Sequence, residues 1–171
     1  MSDKKDVTIM KKLFSLITLL FISACSNTPD PTYVALTLNA SANLNPDHVE
    51  RPSPLVVKII EISSITSFEN AEFFDLYNNA KSTLGSDFIA QEELILRPGD
   101  KKTIKLKLDI KGQYLAVIGA YQNIESADWY YIYSVEPEEA QKIELIATDS
   151  AIVKLERVKK KPTPSNNSTR I

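Results

Sequence analysis

Two residue types that often carry nucleophilic, redox or metal chemistry occur once each in this sequence, as Cys25 and His48. A single cysteine excludes an intrachain disulfide and a Cys–X–X–Cys redox pair, and one cysteine with one histidine cannot build a Cys/His zinc site. As a general base, His48 would need a nucleophile and an orienting carboxylate in reach. It lies in a polar, proline-rich stretch beside Asp47 and Glu50, with no Gly–X–Ser–X–Gly motif and no second histidine, and is expected to be an exposed loop residue. The adjacent pairs Glu92-Glu93 and Glu138-Glu139 would point to opposite faces of a strand, so they do not converge as a glycosidase pair must. The four glycines, Gly85, Gly99, Gly112 and Gly119, are too scattered for a phosphate-binding loop. No catalytic set assembles, and the chain is expected not to be an enzyme.

The position of Cys25 says more than its type. Lys11 and Lys12 precede an apolar run from Leu13 to Ile22, and Ser23 and Ala24 then lead into the cysteine. A basic segment, a short apolar segment and small residues at a cleavage point make a secretory signal peptide over residues 1–24. The run falls short of the roughly 20 apolar residues that span a bilayer. Met10, directly before the lysines, is the expected start of translation.

Ile22-Ser23-Ala24-Cys25 resembles the lipobox of bacterial lipoproteins, although leucine is commoner than isoleucine at the first position. That resemblance implies cleavage before Cys25, a covalent diacylglycerol on its thiol and an N-acyl lipid on its amine, with no other cofactor. One acyl chain binds a membrane only reversibly, whereas two or three hold firmly. An acylated sulfur also removes the liability of a free thiol in an oxidising compartment. Ser26 occupies the sorting position at which aspartate would retain a lipoprotein in the inner membrane, which implies outer-membrane lipid as the anchor's destination.

The whole chain has 171 residues and a formal charge of -2, and removing 1–24 leaves 16 basic and 20 acidic side chains. A mildly acidic chain gives no reason to expect nucleic acid as a partner. With 43% hydrophobic and 25% charged residues, one domain with a packed core is expected. Residues 25–32, with Pro29 and Pro31, read as a lipidated tether, 33–158 as the folded domain, and 159–171 as a disordered basic tail. The run Lys159-Lys160-Lys161 in that tail is expected to be solvated.

Within the domain the apolar period is two. Val34, Leu36 and Leu38 alternate with polar neighbours, and so do Ile104, Leu106 and Leu108. Further strands are expected at Leu55–Ile62, Gln91–Arg97, Tyr114–Tyr121, Trp129–Val135, Lys142–Thr148 and Ala151–Arg157, with Pro98-Gly99-Asp100 as a turn. Between Phe68 and Leu84 the period changes, because Phe73, Leu76, Tyr77, Ala80 and Leu84 form a helical stripe ending at Gly85, with Ser67 or Asn70 as N-cap. The expected fold is mainly β, an antiparallel β-sandwich of about eight strands with an inserted helix.

A series of short features follows in fixed order: Leu36 to Ala40, Leu44-Asn45-Pro46-Asp47, Arg51-Pro52-Ser53-Pro54, Phe68 through Tyr77, Leu84-Gly85, Pro98-Gly99, Ala116 to Tyr121, and Trp129. Over residues 33–135 this order resembles the type VI secretion system lipoprotein family, TssJ (VasD/Lip). The resemblance implies a transthyretin-like sandwich held at the outer membrane and facing the periplasm. It also implies a partner, the periplasmic domain of the inner-membrane protein TssM, within a complex that includes TssL. The family contacts TssM through the loop between its first two strands. Here that loop runs from Ala42 to Pro54, and its candidate contact residues are Asn43, Leu44, Asn45, Pro46, Asp47, His48, Val49, Glu50, Arg51 and Pro52. Long ordered loops usually carry function, and Pro46, Pro52 and Pro54 limit the entropy lost on binding. On the residues alone, a binding loop and a loop that only crosses the sandwich end stay equally open. Two other classes remain: a pilotin-like envelope lipoprotein, and a ligand-binding module with Tyr130, Tyr131 and Tyr133 as an aromatic platform.

Overall fold

Alternating apolar residues make each strand present one face to a core, and the computed structural model shows where those faces meet. It describes residues 30–155; the signal peptide, Cys25, Ser26 and the tail from 159 lie outside them. The strands are β1 (Tyr33–Ala40), β2 (Leu55–Ile62), β3 (Phe88–Leu96), β4 (Lys101–Lys107), β5 (Tyr114–Gly119), β6 (Tyr130–Ser134), β7 (Ala140–Ala147) and β8 (Ile152–Lys154). They form two four-stranded sheets, ordered β4-β1-β7-β8 and β3-β2-β5-β6. The expected sandwich of eight strands with an inserted helical segment is present. Every ladder is antiparallel except β1 with β7, which run parallel with Leu36 opposite Ile143. That pairing joins strands about a hundred residues apart, so no turn between neighbours could have signalled it.

The inward faces of both sheets share one cluster that includes Leu36, Leu38, Leu55, Val57, Val117 and Leu145. A second cluster lies on the outer face of the β3-β2-β5-β6 sheet, where Ile60, Ile62, Ala116 and Ile118 meet the helical segment. β2 and β5 are therefore buried on both faces, which accounts for their nearly unbroken apolar runs.

The helical segment is two helices, α1 (Thr66–Glu69) and α2 (Phe73–Leu84), where the sequence pattern predicts one. Neither expected N-cap acts as one. Ser67 Oγ instead donates to Asp87 Oδ2 at 2.6 Å, Asn70 Nδ2 donates to Thr66 O at 2.8 Å, and Glu72 precedes α2 in extended backbone. Phe73, Leu76, Ala80 and Leu84 are buried as the stripe predicts, and Gly85 ends the helix with φ 55°.

At the end of the sandwich where β1 begins, Glu61 points between the sheets and is only 7% exposed. Its Oε1 accepts the Asp109 backbone N–H at 2.7 Å. A Cβ at position 112 would collide with this carboxylate, so Gly112 is needed for the close approach. Burial, reinforced by the Asp109 carboxylate, raises the Glu61 pKa above the ordinary 4.5 despite that hydrogen bond. A carboxyl whose folded pKa is raised favours the fold when protonated. Its contribution is complete below the unfolded value near 4.5 and is lost as pH rises through the folded value. Glu61→Gln keeps an acceptor and removes the charge, so it is expected to raise the melting midpoint at pH 7 and leave it unchanged near pH 4. An unchanged pH dependence between the two proteins would refute this reading of the site.

Candidate functional site

The loop 41–54 begins with residues built into the domain. Ser41 N donates to Ala147 O at 2.9 Å and Gly99 N donates to Ser41 O at 3.2 Å, which fixes the loop's base to β7 and to the Pro98–Gly99 turn. Leu44 is fully buried in the core between the sheets, and its carbonyl accepts Ser53 N–H at 2.9 Å. Asn45, 3% exposed with φ 45°, joins three segments. Its Nδ2 donates to Pro54 O at 2.9 Å, its Oδ1 accepts Gln122 N–H at 2.8 Å, and its backbone N donates to Thr148 O at 3.4 Å. Leu44 and Asn45, counted above among the contact residues, face inward and position the loop instead. An apolar leucine gains by filling the core, and a left-handed asparagine ties together part-buried backbone groups of three segments.

Beyond Asn45 the chain closes on itself. Asp47 Oδ1 accepts the backbone N–H of Val49 at 2.9 Å and of Arg51 at 3.0 Å. Its Oδ2 accepts from Arg51 Nε and Nη2 at 2.9 and 2.8 Å. Backbone bonds from Asp47 N to Arg51 O (3.0 Å) and from Glu50 N to Asp47 O (2.9 Å) complete the turn. The Arg51 backbone N–H first, and its guanidinium second, hold the Asp47 pKa down at about 2. The carboxylate therefore remains ionised as a clamp throughout the neutral range. His48, Val49 and Glu50 form the tip of this clamped turn, all exposed, with Val49 54% exposed and Glu50 at φ 62°. Asn43, Arg51 and Pro52 are exposed beside them, and Pro46 is half-buried.

Two other segments share this end of the sandwich. A cleft of about 510 Å³ separates loop 41–54 from residues 121–126 and 149–150. Tyr121 is buried beneath it and donates from its hydroxyl to Ala151 O at 2.7 Å. Burial first, and the Asp149 carboxylate second, push its phenol pKa upward. The cleft rim carries Asp47, Glu50 and Asp149, with His48 as its imidazole. Among the described residues no group of three or more His, Cys, Asp and Glu is placed to hold a metal ion. The arrangement is a hydrogen-bonded, mainly acidic surface beside a cleft. Sequence reasoning missed the parts played by Tyr121 and Gln122; the one available signal was an aromatic just past an apolar strand, in a polar Gln-Asn context.

The aromatic residues considered as a ligand platform divide. Tyr131 and Tyr133 are half-buried against the core, and the Tyr133 hydroxyl donates to Gln141 Oε1 at 2.9 Å. Tyr130 is 42% exposed and packs edge-on against Trp129 and Phe68, 4.6 and 5.3 Å between centroids. They do not form one flat surface.

The model of the type VI secretion lipoprotein family (VasD, EvfM, TssJ) matches residues 32–150. The chain belongs to this family. The crystal structure of the T6SS lipoprotein TssJ1 from Pseudomonas aeruginosa is 33% identical with a TM-score of 0.72, and the match covers 74% of this chain and 97% of that one. Lip from Serratia marcescens, a membrane-bound component of the type VI secretion system, is 22% identical with a TM-score of 0.68, covering 72% and 97%. A chain of a type VI membrane complex is 20% identical with a TM-score of 0.65, covering 72% and 98%. No curated protein sequence gives a significant match. The matched residues carry β1 to β7 and the helical segment, and the buried residues of both apolar clusters lie within 34–152.

Proposed function

We propose that this protein is the outer-membrane anchor of a type VI secretion membrane complex, acylated on Cys25 and binding the periplasmic domain of TssM, in a complex that includes TssL, through the tip of loop 41–54. The observation that carries this reading is the clamped turn: in a type VI secretion lipoprotein, Asp47 and Arg51 hold His48, Val49 and Glu50 out from a base fastened by Leu44 and Asn45. A preordered loop loses little entropy on binding, and such rigidity serves assembly better than chemistry. The role is structural.

The anchor has its own test. Cys25→Ser is expected to abolish labelling by a palmitate analogue and to release the tagged protein from the envelope fraction that co-purifies with TssM. Ser26→Asp is expected to keep the label and move the protein toward inner-membrane fractions of a sucrose gradient. Undiminished label on the serine variant would refute acylation at Cys25, and coincident gradients would refute Ser26 as the sorting residue.

A further inference from the structure

The helices cover the outer face of one sheet, while among the described residues no helix lies on the outer face of the β4-β1-β7-β8 sheet. Its register gathers lysines. Lys107 stands beside Tyr33, Lys105 and Lys142 flank Ala35 on either side, and Lys101 stands beside Asn39. Strands spaced about 4.8 Å apart put the backbones of Lys105 and Lys142 about 10 Å from each other. The single methyl group of Ala35 forms the floor between them, within a concavity of about 480 Å³. Among the described residues Glu144 is a carboxylate on this face, and it is engaged by Lys101 at 3.0 Å and Asn39 at 3.4 Å. Lys105, Lys107 and Lys142 have no ion pair within 4.0 Å among the described residues. A basic face is notable here because the chain carries more acidic than basic side chains overall.

Exposed apolar side chains lie on the same face: Tyr33 at 45%, Val153 at 41% and Leu155 at 37%. Lysines beside a tyrosine and aliphatic residues match the phosphate and glycerol layer of a bilayer, where cations meet headgroups and amphipathic rings settle. Chain length brings the face there. Tyr33 opens β1 only eight residues after Cys25, a reach of about 28 Å at full extension. At the other end, Arg157 and Lys159 to Lys161 follow Leu155 within six residues. Glu138 and Glu139 lie past the Tyr33 end of the sheet, so the flat face meets the surface more favourably than that end does.

We infer that the outer face of the β4-β1-β7-β8 sheet rests on anionic phospholipid headgroups, with Lys105 and Lys142 as its central phosphate contacts. Lying on this face would leave loop 41–54 at the far end of β1, free to meet its partner from the side. The inference uses the Cys25 anchor only to supply proximity, so its test omits the anchor. The chain from Ser26 to Ile171 is sedimented with vesicles of phosphatidylglycerol and phosphatidylethanolamine, and with vesicles of phosphatidylcholine, at low and at high salt. Partition into the anionic vesicles is expected to be at least tenfold higher and to fall with salt. Lys105→Gln with Lys142→Gln is expected to lower it about 25-fold, at roughly fivefold per lysine near an anionic surface. Lys81→Gln with Arg97→Gln, removing the same charge elsewhere, is expected to lower it less than threefold. All three proteins should melt together, because Lys105 and Lys142 are exposed. Equal partition into both vesicle types, or equal losses in the two double variants, would overturn the inference. Either failure would leave palmitate labelling of Cys25 unaffected.

Discussion

Asn45→Ala is expected to lower the melting midpoint of the domain by about 8 °C or more, a large effect for a single polar side chain. The side chain is buried and satisfies Pro54 O and Gln122 N–H, and both groups lose their partner when it is removed. Each of these part-buried hydrogen bonds contributes about 0.5–1.5 kcal/mol. Alanine also tolerates the left-handed φ of 45° poorly, at roughly 1–2 kcal/mol. The total is about 2–5 kcal/mol, and each kcal/mol moves the midpoint by roughly 4 °C. Asn45→Gly separates the two terms, because glycine accepts the backbone angle but restores neither hydrogen bond. It should recover a few degrees over alanine and remain well below wild type. If the alanine variant melted within 2 °C of wild type in calorimetry, Asn45 would not be the fastening that the geometry describes.

This linchpin marks the limit of what the sequence could tell. The strands were legible because burial on one face writes a period of two, as Val34, Leu36 and Leu38 do on β1, and those residues are all buried. The loop was legible as a long, proline-bearing connection. Its internal division was not, since Leu44 and Asn45 stand in the same polar stretch as His48 and Glu50. Their burial depends on Thr148, Gln122 and the β1–β7 ladder, all far away in sequence. The same reason hid the break between α1 and α2. Residues 70–72, Asn-Ala-Glu, carry no glycine or proline to mark a break, and Ser67 is drawn to Asp87 across the fold instead of capping its own helix.

Burial of Leu44 and Asn45 also decides how partner binding must be tested. Shortening the loop between Asn43 and Arg51 would remove a fully buried leucine along with the asparagine, and loss of folding would then imitate loss of binding. Substituting the tip avoids this. His48→Ser, Val49→Ser and Glu50→Gly together leave the Asp47–Arg51 clamp in place, because Val49 and Glu50 enter its hydrogen bonds only through their backbone. Glycine at position 50 suits φ 62°, so stability should be unchanged or slightly higher. A few exposed side chains at the centre of an interface usually carry most of its energy. Titration with the periplasmic domain of TssM is therefore expected to show at least a tenfold loss of affinity, about 1.4 kcal/mol or more. Asp47→Ala supplies the complementary arm: it keeps the three tip side chains and releases the turn. Affinity should fall there as well, chiefly through the added cost of ordering the loop on binding. As pH falls through about 2, wild type should approach the behaviour of this variant, because the Asp47 carboxylate then becomes protonated. Wild-type affinity in the tip variant would remove loop 41–54 from the interface and leave residues 121–126 and 149–150, across the cleft, as the surface to substitute next.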